Sequence, residues 1–253
     1  MKSNLKFFKN KKSLPVDKFL QNVLYDKKFG YYSSKIPFGI KGDFITAPTI
    51  SNLFSELISI WIISTWEKFG RPKRINIVEL GPGDGSLIKI LLNVSRRFPE
   101  FNTAKNIFLY ETSNYLKKIQ RSNIKNNKIK WIKNFQSLND APVIFFGNEF
   151  FDAIPIKQFK RVQKKLYEKN YFINDNYKII ETFKKANKRD LKNIQSFKVL
   201  KNLKFIEFPK SGFKEMNKII NTISKLNGCL LMIDYGYLRP INQNTLQSVI
   251  KNK

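Results

Sequence analysis

The stretch Ile75-Asn76-Ile77-Val78-Glu79-Leu80-Gly81-Pro82-Gly83-Asp84-Gly85 decides the fold, because it joins a short apolar run to a cluster of glycines. The run Ile75 to Leu80 has the length and composition of a buried strand. A helical spacing of apolar residues follows the glycines from Leu87 to Val94. Strand, glycine turn and helix in this order are typical of an α/β sheet whose backbone approaches a ligand closely at the turn.

Further strands and helices alternate on the carboxyl side of this turn. Apolar runs predict strands at Ile107 to Tyr110, Lys130 to Ile132, Pro142 to Phe146 and Leu230 to Ile233. Helical spacing lies between them at Tyr115 to Ser122 and Glu215 to Leu226. We therefore expect an α/β fold with a doubly wound, mostly parallel sheet. The polar stretch Gln158 to Thr182 alternates like short strands and predicts a small β-rich insertion.

The segment before the turn is predicted to be helical. Val16 to Leu24 and Ser51 to Phe69 both keep apolar residues at helical spacing, and Gly70-Arg71-Pro72 ends the second pattern. We therefore predict an N-terminal helical extension over residues 1–70 and a core over residues 71–253.

The composition excludes several kinds of chemistry. The 253 residues contain no His and one Cys, so histidine-based acid/base catalysis, a disulfide within the chain and a Cys/His zinc site are excluded, and no metal is expected. A lone Cys fits a reducing compartment, and the absence of a long apolar segment or signal core makes the cytoplasm the default expectation.

The net charge of +28 makes a nucleic-acid partner possible but does not favour it. Lys far outnumbers Arg, and Asn, Ile and Phe are abundant, which is the bias expected of an AT-rich coding sequence. The basic runs Lys125 to Lys130 and Lys184 to Arg189 are interpreted as solvated loops.

The glycine turn favours one cofactor. A nicotinamide site would have GxGxxG or GxGxxA, but Ser86 follows Gly85, and the spacing is GxGxG. The acidic residue Glu79 near the strand end suits the ammonium group of S-adenosyl-L-methionine, with Gly81, Gly83 and Gly85 making room for the ligand. The alternative is a purely structural glycine turn.

Two other segments are candidates for the same cofactor. Glu111 ends the second strand, where a carboxylate can accept hydrogen bonds from a ribose diol, although an ordinary exposed Glu is the alternative. The loop Lys41 to Pro48 contains Gly42, Asp43 and Thr46 and could close over the cofactor, although an ordinary loop fits as well.

The candidate acceptor site follows the fourth strand. Ligands of open α/β sheets bind at the carboxyl ends of the strands, where this chain has Asn148, Glu149 and Asp152 around a pair of Phe residues. Carboxylates beside an acceptor nitrogen could hold a cation and help it lose a proton. The alternative is that Glu149 and Asp152 only cap the next helix.

These segments together resemble the MidA-like family of class I, Rossmann-like methyltransferases. The resemblance is carried by Phe29-Gly30-Tyr31-Tyr32, Gly42 to Pro48, Ile50-Ser51, Val78 to Gly85, Asn148 to Pro155 and Ile233 to Gly236. Its mitochondrial members are respiratory complex I assembly factors that methylate an arginine of a core subunit. The resemblance implies cofactor binding by the glycine turn, Glu111 on the ribose, and an acceptor pocket near Asn148, Glu149 and Asp152. It also implies a bacterial cytoplasmic or a mitochondrial matrix protein.

The chain departs from the family at several places. Thr49 stands where Glu is usual and Asp26 where His is common, which puts any role of these positions in doubt. Family members continue well beyond the segment Asn244 to Gln247, so the family's C-terminal part is expected to be missing.

A protein-arginine methyltransferase is therefore the expected function. A nucleic-acid methyltransferase is an alternative, but the Asn-Pro-Pro-aromatic motif usual in methylation of base amino groups is absent. A non-catalytic assembly factor that only binds the cofactor is a further alternative.

Overall fold

A computed structural model describes residues 5–34, 51–239 and 241–247. The strands are β1 (Ser13–Pro15), β2 (Ile75–Leu80), β3 (Lys105–Tyr110), β4 (Lys130–Ile132), β5 (Val143–Asn148), β6 (Lys157–Val162), β7 (Lys165–Ile173), β8 (Ile179–Lys185), β9 (Phe205–Phe208) and β10 (Gly228–Ile233). The helices are α1 (Leu5–Phe8), α2 (Val16–Tyr25), α3 (Tyr31–Ser34), α4 (Asn52–Lys68), α5 (Ser86–Ser95), α6 (Pro99–Ala104), α7 (Asn114–Ile124), α8 (Lys188–Gln195) and α9 (Lys210–Leu226).

The chain forms two compact units, each discontinuous in sequence. Among the described residues, the parallel-sheet unit comprises those within Tyr32–Phe150 and Glu215–Asp234. The antiparallel-sheet unit comprises Met1–Tyr31, Phe151–Lys214 and Tyr235–Ser248. The division into an extension over residues 1–70 and a core over residues 71–253 stays a prediction.

The parallel-sheet unit is built on five strands in the order β10-β5-β2-β3-β4. All neighbouring strands in this sheet are parallel. The predicted α/β fold with a mostly parallel sheet is therefore confirmed. β2 lies at the centre and is buried along its whole length, which is why its sequence is almost continuously apolar.

Helices cover this sheet with their apolar residues. Ile62 of α4, Ile88 and Leu91 of α5, and Ile77 and Phe146 of the sheet belong to one buried core cluster. The N-terminus of α4 is capped by Ser51, whose side chain accepts a hydrogen bond of 3.2 Å from the backbone N–H of Leu53. The core thus fixes the central strand, and with it the glycine turn that follows.

The antiparallel-sheet unit corresponds to the predicted β-rich insertion. Its strands follow the order β1-β7-β6-β9, and β8 pairs with the other edge of β7. The interpretation of Lys184 to Arg189 as a solvated loop is wrong, because β8 contains Lys184 and Lys185 and α8 begins at Lys188. The run Lys125 to Lys130 is a loop that ends in β4, which begins at Lys130.

Helix α8 forms in this polar sequence because its buried acid, Asp190, has partners from other parts of the chain. The Asn187 side chain accepts a hydrogen bond of 2.9 Å from the N–H of Asp190 and so caps the helix. Asp190 is fully buried, and its carboxylate pairs with Lys157 at 2.8 Å and Lys210 at 2.5 Å. Burial raises the pKa of Asp190, but the hydrogen bonds from both lysines outweigh this and lower it to about 2.

Among the described residues, no helix is both long and apolar enough to cross a membrane.

Candidate active site

The glycine turn has a backbone that favours glycine. Gly81, Gly83 and Gly85 have φ angles of +61°, +56° and +87°, in the left-handed region. A Cβ atom on Gly81 would stand 3.0 Å from the Phe150 ring, and one on Gly85 would stand 2.8 Å from the Ile124 side chain. The turn is therefore a tight cradle of backbone, of the kind that lets a ligand approach the main chain.

Glu79 is a buried acid with an unsatisfied oxygen. It is 4% exposed, and its Oε2 atom has no hydrogen-bond partner among the described residues. Burial, together with repulsion from Asp84, raises the pKa of Glu79 from 4.5 to about 8. A buried carboxyl oxygen without a partner is costly, so this position fits a ligand that brings a positive charge.

Glu111 follows β3 and is held by a hydrogen-bond network. Its Oε1 accepts from the N–H of Ser113 at 2.7 Å, and its Oε2 accepts from Gln120 Nε2 at 3.2 Å. Burial raises the pKa of Glu111, although these hydrogen bonds oppose the rise. A carboxylate has about four lone-pair sites, so the two oxygens keep capacity for the hydroxyl groups of a sugar.

Sequence reasoning missed Gln120. Its Nε2 also donates to the backbone oxygen of Gly83 at 2.8 Å, and its Oε1 accepts from Trp131 Nε1 at 2.8 Å. The fully buried amide thus ties the glycine turn to Glu111 and β4. A signal was available, because Gln120 lies one turn from both Leu116 and Ile124 on the buried face of α7, which also carries Lys117.

The end of β5 brings two of the predicted acceptor-site residues together. Asn148 Nδ2 donates to Glu149 Oε1 at 3.3 Å, and the Glu149 N–H donates to the oxygen of Ile233 at 2.8 Å. The backbone of Glu149 has a φ of +54°, which is rare for residues other than Gly, Asn and Asp. Burial raises the pKa of Glu149, and repulsion from Asp234 adds to the rise despite the hydrogen bond from Asn148.

These groups share one edge of the parallel sheet. Leu80 of β2 is in register with Tyr110 of β3, and Asn148 of β5 is in register with Ile233 of β10. The glycine turn, Glu111 and Glu149 therefore all follow the carboxyl ends of parallel strands, where ligands of this fold class bind. A mostly apolar depression reaches this edge, lined by Phe54, Ile58, Leu87, Phe146, Gly147, Asn148, Leu231 and Ile233.

The other predicted site residues are placed differently. Asp152 is exposed and belongs to the antiparallel-sheet unit, so its role stays a prediction. Gly42, Asp43 and Thr46 lie outside the described residues. Among residues 5–34, 51–239 and 241–247, no group of three or more His, Cys, Asp or Glu side chains could hold a metal ion.

Most of the chain matches known proteins. A family model described as "Putative S-adenosyl-L-methionine-dependent methyltransferase" matches residues 57–253. "Protein arginine methyltransferase NDUFAF7, mitochondrial" of Danio rerio is 28% identical over 247 residues, which are 88% of this chain and 58% of that protein. The Drosophila melanogaster homologue of the same name is 30% identical over 177 residues, 61% of this chain and 40% of that protein. The chain thus spans less than two thirds of these relatives' length.

A solved structure shares the fold. It is a COG1565 superfamily member from Burkholderia thailandensis bound to S-adenosyl-homocysteine, with a TM-score of 0.72 and 18% identity. The match covers 92% of this chain and 61% of that one.

Proposed function

We propose that this chain, which belongs to the family of S-adenosyl-L-methionine-dependent methyltransferases, methylates a nitrogen of an arginine side chain in a protein. The family fixes the cofactor and the type of reaction. The acceptor is our proposal, and two observations support it. Relatives at about 30% identity are named protein arginine methyltransferases, and the carboxyl ends of β5 and β10 carry Glu149 beside Asp234.

The residues at the strand ends fit the cofactor. The unsatisfied Oε2 of Glu79 would accept a hydrogen bond from its ammonium group, and Glu111 would accept hydrogen bonds from its ribose hydroxyls. The left-handed turn from Gly81 to Gly85 would leave room for the cofactor against the backbone. When bound, the cofactor supplies a methyl group activated by a positively charged sulfur.

The observation that carries the acceptor proposal is the arrangement of Asn148, Glu149 and Asp234. A guanidinium group carries five N–H donors in a planar fork, which suits neighbouring carboxylates. Its nitrogen must lose a proton as it gains a methyl group. Glu149 can accept that proton, and its raised pKa makes it a better proton acceptor than an exposed Glu.

The acceptor protein and the compartment follow from the same proposal. We propose a subunit of respiratory complex I as the first acceptor to test, because the MidA-like resemblance implies it. The relatives named above are mitochondrial proteins. The compartment is then the mitochondrial matrix in a eukaryote or the cytoplasm in a bacterium.

A methyl-transfer assay tests this proposal. The purified chain is incubated with S-adenosyl-L-methionine carrying a deuterated methyl group and with arginine peptides tiled across complex I core subunits. We expect mass spectrometry to find the label on an arginine. Label only on RNA or DNA added in parallel would support a nucleic-acid methyltransferase instead. Cofactor binding without transfer to any substrate would support a non-catalytic assembly factor.

The raised pKa of Glu79 predicts that cofactor binding depends on pH. Below about pH 8 the free carboxyl group is mostly protonated, so an ammonium group that needs the carboxylate must displace a proton. We expect S-adenosyl-homocysteine, which carries the same ammonium group, to bind with release of about one proton near pH 7. Isothermal titration in buffers of different ionisation enthalpy measures this release.

The matched variant for Glu79 is Glu79→Gln, which should weaken binding and remove the proton release without unfolding the protein. A raised folded-state pKa means that the folded state loses stability as pH rises from 4.5 to about 8. The neutral amide removes this loss, so the variant should be at least as stable as the wild type at pH 8. Unchanged proton release in the variant would assign the proton to another group.

Gln120 should position the turn and Glu111 for the cofactor. We expect Gln120→Leu to weaken S-adenosyl-homocysteine binding about tenfold, because the Gly83 oxygen and the Trp131 N–H lose their partner. The control is Asn123→Leu, on the same helix, since the exposed Asn123 amide donates to the Asp84 oxygen of the same turn at 3.0 Å. Equal losses in both variants, measured by titration, would contradict a special role for Gln120.

A further inference from the structure

Strand β8 leaves one long edge of the antiparallel sheet open. It spans seven residues and pairs with β7 along one edge, while no described strand pairs with the other edge. Every side chain of β8 except Thr182 is exposed. Edge strands in natural proteins are usually short, covered or protected by charged side chains such as Lys, because their free N–H and C=O groups can pair with another chain.

The free backbone groups of β8 can be assigned to individual residues. The Ala186 N–H donates to the Leu166 oxygen at 2.9 Å, and the Asn174 N–H donates to the Lys178 oxygen at 3.0 Å. The register of β7 and β8 connects these two pairs without interruption. Because hydrogen-bonded pairs alternate in an antiparallel ladder, even-numbered residues of β8 turn their backbone groups toward β7. The outward groups belong to Ile179, Glu181, Phe183 and Lys185.

The side chains along this edge are apolar and basic. Ile179, Ile180 and Phe183 are 37%, 45% and 39% exposed. The only acid of the strand, Glu181, is paired with Lys169 at 2.5 Å. The open edge therefore offers apolar contacts without free negative charge.

Exposed lysines surround the apolar residues. Lys184 and Lys185 end β8, and Lys178 and Lys188 flank it. The ammonium group of Lys160 lies 5.7 Å from the centre of the Phe183 ring. Pairing of two β8 edges would bring these lysines together, so the charge disfavours a second copy of this chain. A partner with negative charge would be attracted instead.

We propose that the outer edge of β8 binds an extended, acidic segment of a partner protein, which adds to the sheet as a further strand. Main-chain hydrogen bonds to the outward residues of β8 hold such a segment, and alternate side chains decide which sequence binds. Side chains alternate between the two faces of β8, so Ile179 and Phe183 share one face and Lys184 lies on the other. Apolar side chains of the segment cover the first face, while its acidic side chains meet Lys184 on the second. This inference is independent of the proposed methyl transfer.

A designed peptide of about four Glu-Val repeats, labelled with fluorescein, is the probe. We expect fluorescence anisotropy to show saturable binding that weakens with salt. A peptide of equal charge with Pro at alternate positions cannot form a strand, and it should bind at least about tenfold more weakly. Equal binding of the two peptides would overturn strand addition in favour of simple charge attraction.

The lysines are tested by two variants of equal charge. Lys184→Glu with Lys185→Glu should weaken binding of the Glu-Val peptide about tenfold. Lys198→Glu with Lys201→Glu changes exposed lysines outside β8 and should leave binding within about twofold. Equal losses in both variants would overturn the proposal.

Amide exchange locates the bound strand. On peptide binding, we expect exchange at Ile179, Glu181, Phe183 and Lys185 to slow by at least about tenfold, because these N–H groups gain acceptors. The even-numbered amides should change little, because they already bond to β7. The proposal would be overturned if exchange slowed only at other residues. It would also be overturned if self-association protected these amides in the absence of the peptide. An oligonucleotide that displaces the peptide and protects the same amides more strongly would likewise overturn the proposal.

Discussion

Gly83→Val is expected to weaken binding of S-adenosyl-L-methionine by at least about 100-fold. The φ of Gly83 is +56°, and a β-branched side chain is strongly disfavoured there. The valine must therefore either strain the turn or change its path. A changed path would move the Gly83 oxygen away from Gln120, whose amide also bonds to Glu111. Isothermal titration of the purified variant measures the loss.

The control for Gly83→Val is Gly70→Val. Gly70 also has a left-handed φ, of +81°, and a Cβ atom there meets nothing within 4 Å. It precedes β2, whereas Gly83 follows the carboxyl end of this strand. Both variants should lose comparable stability in thermal unfolding, but only Gly83→Val should lose the cofactor. Gly83→Ala is the milder variant if valine prevents folding. Undiminished binding by a folded Gly83 variant would mean that the turn does not hold the cofactor.

The central part of the fold could be predicted from the sequence because local and tertiary requirements agree there. The strand predicted at Ile75 to Leu80 is β2, and the strand predicted at Lys130 to Ile132 is β4. The helix predicted from Ser51 to Phe69 is α4 with its caps. In these segments the apolar pattern is also the pattern of burial, so composition and spacing are sufficient.

Other features depend on partners that are distant in sequence. Helix α8 is too polar to be predicted, and its buried Asp190 is tolerated only because Lys157 and Lys210 reach it from other elements. Helix α9 begins at Lys210, five residues before its predicted start. The first turn could not be predicted because it contains Gly212, and glycine disfavours a helix. The nearest atoms to a Cβ at Gly212 belong to Pro209, at 3.5 Å, and Phe151. Both are ordinary van der Waals distances, so the helix would also accept a residue with a Cβ atom at this position.

The candidate site likewise has features that the sequence predicts and features that depend on distant partners. The glycine turn and Glu111 can be proposed from the sequence, because each follows a strand at a recognisable spacing. The left-handed backbone of Glu149 could not be predicted, because Glu has no preference for that region. Its hydrogen bond to Ile233 comes from a strand that lies far along the chain. Backbone strain of this kind is often found at functional sites, which is consistent with the proposed role of Glu149.

Glu149→Gln is expected to lower the turnover of methyl transfer by about 100-fold or more while cofactor affinity stays the same. An amide keeps the shape of the carboxyl group and can still hydrogen-bond to Asn148, but it cannot accept the proton that the arginine nitrogen loses. The rate of S-adenosyl-homocysteine formation, with cofactor and an accepted arginine peptide both saturating, measures the effect. The control is Glu100→Gln, because Glu100 is an exposed acid that is distant in sequence from Glu149. Asp152→Asn tests separately whether that predicted residue takes part.

The pH dependence distinguishes a proton acceptor from a structural residue. Glu149 must be ionised to accept a proton, so wild-type turnover should rise with pH through its raised pKa. Asp234→Asn removes a neighbouring negative charge, which should lower the pKa of Glu149 and move this rise to lower pH. Glu149→Gln should abolish the rise. A variant that loses activity equally at every pH, with the rise unchanged, would show that Glu149 only maintains the strand end and that another group takes the proton.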